Sequence, residues 1–171
     1  MELVSNNRLM ELLKQIDNEL DGRIKIIAVG GTAMTLLGIK PSTKDLDFEL
    51  FGEDLARLRK VLKRMPIGYK IDMYEDGLIF TQRLPDDHVM KAIPIKTELK
   101  NIDLLALHPL DIIVTKIGRL SERDEEDIKT CIERYHIMKK DVKKRGAQVD
   151  YILNKESYEM NLHVVLTRFF Q

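Results

Sequence analysis

The sequence predicts an α+β fold: a mixed α/β sheet with flanking helices over residues 1–106, and a helical region over residues 107–171 packed on that core. Three observations carry this expectation. Short β-branched or alternating runs ("IKIIAV", "DLDFEL", "IDLLAL") recur through the first two thirds of the chain. Amphipathic stretches of helical period separate them. From His108 onward the pattern turns helical, and the 171-residue length suits one domain or one domain with an extension.

Each element has a local reason. Leu9, Leu12, Leu13, Ile16 and Leu20 recur at helical spacing, so Ser5 to Leu20 reads as a helix capped by Ser5 or Asn6 and closed by Asp21–Gly22. Ile24 to Val29 is a β-branched run ended by Gly30–Gly31. Thr32 to Leu37 follows as a short helix, and Pro41 to Thr43 as a turn. Asp45 to Leu50 alternates polar and apolar residues, the pattern of a half-buried strand. Glu53 to Met65 is an amphipathic helix, acidic at its start and basic at its end, as the helix dipole prefers. After the break at Pro66–Ile67–Gly68, "YKIDMY" and "GLIFTQRL" read as strands joined in a hairpin near Glu75–Asp76–Gly77. "AIPIK" and "IDLLAL" are further short strands. Pro109 opens a helix to Leu120, and Ser121 with Asp124 opens another to about Met138. The remainder is helical in pattern.

Composition limits the function classes. Hydrophobic residues make up 44% and charged residues 33%, the balance of a globular chain. Twenty-eight basic residues offset 28 acidic ones, which argues against a dedicated nucleic-acid binder, and the absence of tryptophan argues against base-stacking platforms. No apolar run is long enough to cross a bilayer, and "MELVSNNRLMELL" lacks a signal-peptide layout. The lone Cys131 fits a reducing compartment, so a cytoplasmic location is expected. The four histidines are scattered, and His108 before Pro109 reads as a helix cap.

The chemistry concentrates between Ala28 and Leu50. In a strand, Asp45 and Asp47 share a face, with Leu46 and Phe48 turned to the core and Glu49 extending the acidic side. Paired carboxylates suit a hard divalent cation that keeps room for substrate phosphates. A glycine pair between strand and helix lets backbone N–H groups approach an anion, and Thr32 adds a hydroxyl. A phosphate cradle beside a metal site is what nucleoside triphosphate chemistry needs.

"VGGTAMTLLG…STKDLDFEL" resembles the signature of the nucleotidyltransferase superfamily typified by DNA polymerase beta. It is most similar to small prokaryotic families of that fold: the toxin components of AbiEii-type toxin–antitoxin systems, and an uncharacterised nucleotidyltransferase-like family. "LHPLDIIVTKIGRLSERDEEDI" continues the resemblance, which covers about residues 24–132. It implies a nucleotidyltransferase fold that moves a nucleoside monophosphate from an NTP to an acceptor. It implies Mg²⁺ or Mn²⁺ held by Asp45, Asp47 and a third carboxylate, with Asp72 preferred and Asp103 as rival. Gly30, Gly31 and Thr32 match the phosphate loop, although better-known catalytic members carry serine where this chain has Gly31. Lys116, sharing a helix face with Arg119, is a candidate counter-charge for the phosphates, its alternative being an ion network with Asp111 or Asp127. The acceptor is open between RNA, protein and a small molecule, "KKDVKKR" at Lys139 to Arg145 being the basic cluster that could serve RNA. An antitoxin-type protein is a candidate partner, and no membrane is expected. The alternative is a weak or inactive relative that acts by binding a partner.

Overall fold

The computed structural model describes residues 2–151 and 153–170. In chain order the elements are β1 (Val4–Ser5), α1 (Asn6–Glu19), β2 (Ile24–Ala28), α2 (Gly30–Leu36), β3 (Ser42–Thr43), β4 (Leu46–Glu49), α3 (Glu53–Leu62), β5 (Ile71–Tyr74) and β6 (Leu78–Ile79). They continue with β7 (Gln82–Arg83), α4 (His88–Lys91), β8 (Ile93–Pro94), β9 (Ile102–Ala106), α5 (Pro109–Ile117), α6 (Glu122–Tyr135), α7 (Lys139–Ala147), β10 (Asp150–Tyr151) and α8 (Lys155–Arg168). The α+β class is as the sequence predicts. The chain forms two compact units, Met1–Asp76 with Ala92–Ala106, and Gly77–Lys91 with Leu107–Gln171. Among the described residues no helix is long and apolar enough to cross a membrane.

The first unit is built on a five-stranded mixed sheet of order β5-β4-β2-β9-β8. β2 runs parallel to β9 and β4 parallel to β5, while β2 and β4 are antiparallel. The apolar run of β2 sits at its centre, with Ile26, Ile27 and Ala28 fully buried, because strands on both sides and helical layers leave no water contact. α1 has the expected stripe, Leu9, Leu12, Leu13 and Ile16 all buried, and its Ser5 cap accepts from the Arg8 N–H. Asp17, on the same helix, accepts from the backbone N–H groups of Lys100, Asn101 and Ile102 at 2.7–3.0 Å. One carboxylate thereby satisfies the three donors at the entrance to β9.

The second unit combines α5, α6, α7 and α8 with a small sheet of order β10-β7-β6. Ser121 and Asp124 form the complete capping box at the start of α6. The hairpin expected at Glu75–Asp76–Gly77 is not there. β5 pairs with β4 and ends at Tyr74; β6 pairs instead with β7 around Phe80–Thr81. Asp76 and Gly77 both take positive φ, the turn chemistry the sequence predicts, but the strands on either side of them pair with β4 and β7 and not with each other. The C-terminal stretch is likewise interrupted, by β10. Pro41–Thr43 is more ordered than a turn, since β3 pairs with β1.

Two outcomes follow. Asp17→Ala leaves three amides without their acceptor and is expected to cost about 2–4 kcal/mol in denaturant unfolding. In the second unit, His108 Nδ1 accepts from the Leu110 N–H at 3.1 Å. Burial, the largest influence, pushes its pKa below the ordinary 6.5, with Asp111 opposing and Lys91 and Arg145 assisting. The unfolded chain therefore takes up this proton first. The stability contributed by neutral His108 is present above about pH 6.5 and lost as pH falls through the lower folded value. His108→Asn, which keeps an acceptor at the cap, is expected to show a shallower fall in melting temperature than the wild type between about pH 7 and pH 5.

Candidate active site

The glycine turn and the aspartate strand are joined by one hydroxyl. Thr32 Oγ1 donates to the Asp45 carbonyl at 3.1 Å and accepts from the Asp47 N–H at 2.9 Å. Thr43 Oγ1 donates to the same carbonyl at 3.0 Å. The Val29 N–H donates to the Asp47 carbonyl at 3.0 Å, so Asp47 stands level with the end of β2, where Gly30 and Gly31 begin. The glycines are not a turn ahead of the helix, as the sequence suggests. They are its first two residues, Gly30 taking φ +53, which only glycine adopts without strain.

Thr32 corrects an expectation. Its side chain is fully buried, and its hydroxyl proton is given to Asp45, so it fixes the strand and does not present a hydroxyl to phosphate. Gly31 has a steric reason. A Cβ there would lie 2.7 Å from Thr43 Oγ1 and 3.5 Å from Thr43 Cβ. The hydroxyl of a buried threonine fills the space that the serine of better-known members would need.

The strand register decides which carboxylate accompanies Asp47. β4 and β5 are parallel with Asp47 opposite Asp72 and Glu49 opposite Tyr74. Residues in register share a face, so Asp47 and Asp72 are side by side. Continuing the register one residue puts Lys70 beside Asp45. Asp103 is paired with Lys25 on β2, and Asp47 is level with Val29. Asp103 therefore lies two strands away and about 13 Å further along the sheet.

The acidic face is more buried than alternation suggests. Asp47 is 8% exposed and Glu49 fully buried, whereas a half-buried strand would leave both in water. The Tyr74 hydroxyl donates to Asp47 Oδ1 at the long limit of 3.5 Å. Asp72 is part-exposed and bound to Lys70 Nζ at 2.7 Å. The Asp72 hydrogen bond, then its charge, raise the Lys70 pKa above the ordinary lysine value, and the charges of Asp45 and Asp47 add to the effect. A lysine ammonium thus sits in the field of the three carboxylates. Among the described residues, no three His, Cys, Asp or Glu side chains stand together as a ready metal-binding group. The donor chemistry suits a hard cation, since Asp45, Asp47 and Asp72 offer carboxylate oxygens and Asp47 and Asp72 are in register.

Lys116, Arg119 and Arg123 belong to the second unit. Lys116 is 3% exposed, and its ammonium is held by Asp124 Oδ1 at 3.1 Å and Asp127 Oδ2 at 2.9 Å. Its alternative reading, a buried ion network, is the one the geometry takes, with Asp127 the partner and Asp111 engaged elsewhere. Burial pushes the Asp124 pKa up, but Lys116, the Ser121 hydrogen bond and Arg119 outweigh it and hold it below the usual carboxylate range. Arg119 shares Asp124 and lies over the Phe80 ring, 4.3 Å from its centroid. Of the basic run "KKDVKKR", Arg145 is turned inward onto Asp111 and Asp87, which removes one cation from the expected RNA face.

A family described as nucleotidyltransferase of unknown function (DUF6036) matches residues 7–169. The chain belongs to that family. This nucleotidyltransferase-family chain also resembles the crystal structure of an antigenic nucleotidyltransferase-like protein from Paracoccidioides brasiliensis. The TM-score is 0.52 at 14% identity, over 99% of this chain and 97% of the other, a likeness of fold. No curated protein matches it. The family match spans both units.

The Gly31–Thr43 contact is testable by a double-mutant cycle. Gly31→Ser is expected to destabilise the wild type by about 1–3 kcal/mol and to cost clearly less in a Thr43→Ala background. Equal costs in both would mean that Thr43 does not shape the loop.

Proposed function

We propose that the protein is a metal-dependent nucleotidyltransferase that moves a nucleoside monophosphate from an NTP to an acceptor hydroxyl or phosphate. The observation that carries this reading is the side-by-side register of Asp47 and Asp72 next to the Gly30–Gly31 end of β2. Asp45, Asp47 and Asp72 would hold Mg²⁺ or Mn²⁺, which when bound would neutralise triphosphate charge and polarise the α-phosphate. The backbone N–H groups of Gly30 and Gly31 would face the phosphates, while Thr32 and Thr43 keep the loop and the strand in fixed relation. Asp72, the more exposed carboxylate of the register pair, would take the proton of the acceptor hydroxyl as its oxygen attacks the α-phosphorus. The α–β phosphoanhydride bond breaks, and pyrophosphate leaves with the electron pair. Lys116 has no part in this scheme, because both its partners are buried acids.

The resemblance of "VGGTAMTLLG…STKDLDFEL" to toxin components supports a place as the toxin-like half of a toxin–antitoxin pair, working in the cytoplasm, where the lone Cys131 stays reduced. A second reading is favoured by one observation: the carboxylates do not stand as a ready metal group. In that reading the chain is a weak or inactive relative that binds a regulatory partner.

Incubation with each α-labelled NTP, Mg²⁺ and a cell extract separates the two. Label transfer is expected from the wild type and is expected to fall at least a hundredfold in Asp45→Ala/Asp47→Ala and in Asp72→Asn. Transfer unchanged in these variants would contradict the site. Absence of transfer by the wild type to any extract component would favour the binding reading.

A further inference from the structure

Lys70 has no role in the scheme above, yet its ammonium is bound to Asp72 on the acidic face. Its backbone is fixed, since the Lys70 carbonyl accepts from the Leu46 N–H at 3.1 Å and Ile71 begins β5 directly after it. Its side chain lies at the surface. It is 61% exposed and reaches Asp72 Oδ2 at 2.7 Å. The register pairs Asp72 with Asp47 on the neighbouring strand, and continued by one residue it sets Lys70 level with Asp45, so the three aspartates and the lysine share one face of the sheet. Like charges on one face repel, and the ammonium on Asp72 lowers that repulsion. It occupies a carboxylate oxygen that a hard cation would use.

We propose that Lys70 is the resident counter-ion of this acidic site, which a divalent cation must displace from Asp72 in order to bind. The inference rests on the reading of Asp45, Asp47 and Asp72 as metal ligands. Lys70 sets the affinity of the site from below: the cation has to replace an ion pair and does not meet bare carboxylates. The exposed stem lets the ammonium swing away while its root stays put, so the exchange needs no backbone movement. The arrangement also keeps the acidic face compact when no divalent ion is bound.

Manganese alone is the probe, followed by electron paramagnetic resonance of the free ion in titrations of the full chain, with melting temperatures recorded for every variant. Lys70→Met is expected to bind Mn²⁺ about three- to tenfold more tightly than the wild type, the worth of a part-exposed ion pair removed from competition. Lys70→Arg keeps a counter-ion and is expected to bind within about twofold of the wild type. Asp47→Asn is expected to abolish binding with either residue at position 70. Equal or weaker Mn²⁺ affinity in Lys70→Met, with Asp47-dependent binding intact, would overturn the counter-ion role and leave the metal site standing. Failure of both the wild type and Lys70→Met to bind Mn²⁺ at millimolar concentration, in folded protein, would overturn the metal site together with the inference. The readout is ion binding, so it does not depend on finding the acceptor.

Discussion

The arrangement of the first unit depends on one buried hydroxyl. Thr32 Oγ1 is at once donor to the Asp45 carbonyl and acceptor from the Asp47 N–H, and so holds the first turn of α2 against the start of β4. A buried hydroxyl with both functions satisfied stabilises modestly, but left unpaired its partners would cost more than the bonds are worth. The consequence is geometric. With Thr32 and Thr43 both on the Asp45 carbonyl, the aspartate backbone cannot slide relative to the glycine turn. The same packing puts the Thr43 hydroxyl 2.7 Å from where a Cβ at position 31 would lie, so a side chain there requires Thr43 to shift. The departure from the glycine–serine pattern of better-known nucleotidyltransferases thus has a cause within the fold: the threonine that clamps the strand fills the space.

The buried charges of the second unit follow another logic. Lys116 with Asp124 and Asp127, and Arg145 with Asp111 and Asp87, are ion pairs whose members are mostly withdrawn from water. Desolvation offsets much of their attraction, so their net stabilisation is small, while loss of one partner is costly. They hold α5 to its neighbours α6 and α7 through directional contacts. Lys116, which from the sequence is a candidate phosphate counter-charge, and Arg145, the last residue of the run that could serve RNA, are thus both occupied inside their own unit.

What the sequence made legible is local. The stripe of α1, the capping box of Ser121 and Asp124, the His108 cap and the strand character of the Asp-x-Asp segment are encoded within a few residues of one another. What it did not make legible is long-range. Alternation alone predicts an exposed acidic face on β4, and its burial arises from tertiary neighbours that no window of sequence contains. Asp72 and Asp103 look alike as single acids between apolar residues, and only pairing with β4 against pairing with β2 separates them. The hairpin at Asp76–Gly77 failed for the same reason: positive-φ chemistry marks a turn without saying which strands it joins. The spacing of Lys70 and Asp72, two residues apart on one strand face, is the local signal for their pair, whereas its placement in the field of Asp45 and Asp47, 25 and 23 residues before Lys70, comes only from the pairing of β5 with β4.

The account stands or falls on whether the face shared by β4 and β5 is where a metal–nucleotide complex sits. The most direct measurement is a crystal structure of the full chain soaked with Mn²⁺ and a non-hydrolysable NTP analogue, with anomalous differences collected at the manganese edge. The account predicts an anomalous peak within ordinary metal–oxygen distance of the Asp47 and Asp72 carboxylates, the analogue's phosphates against Gly30–Gly31, and the Lys70 ammonium moved off Asp72. Nucleotide bound elsewhere, or a peak away from Asp47 with the Lys70–Asp72 pair intact, would contradict it.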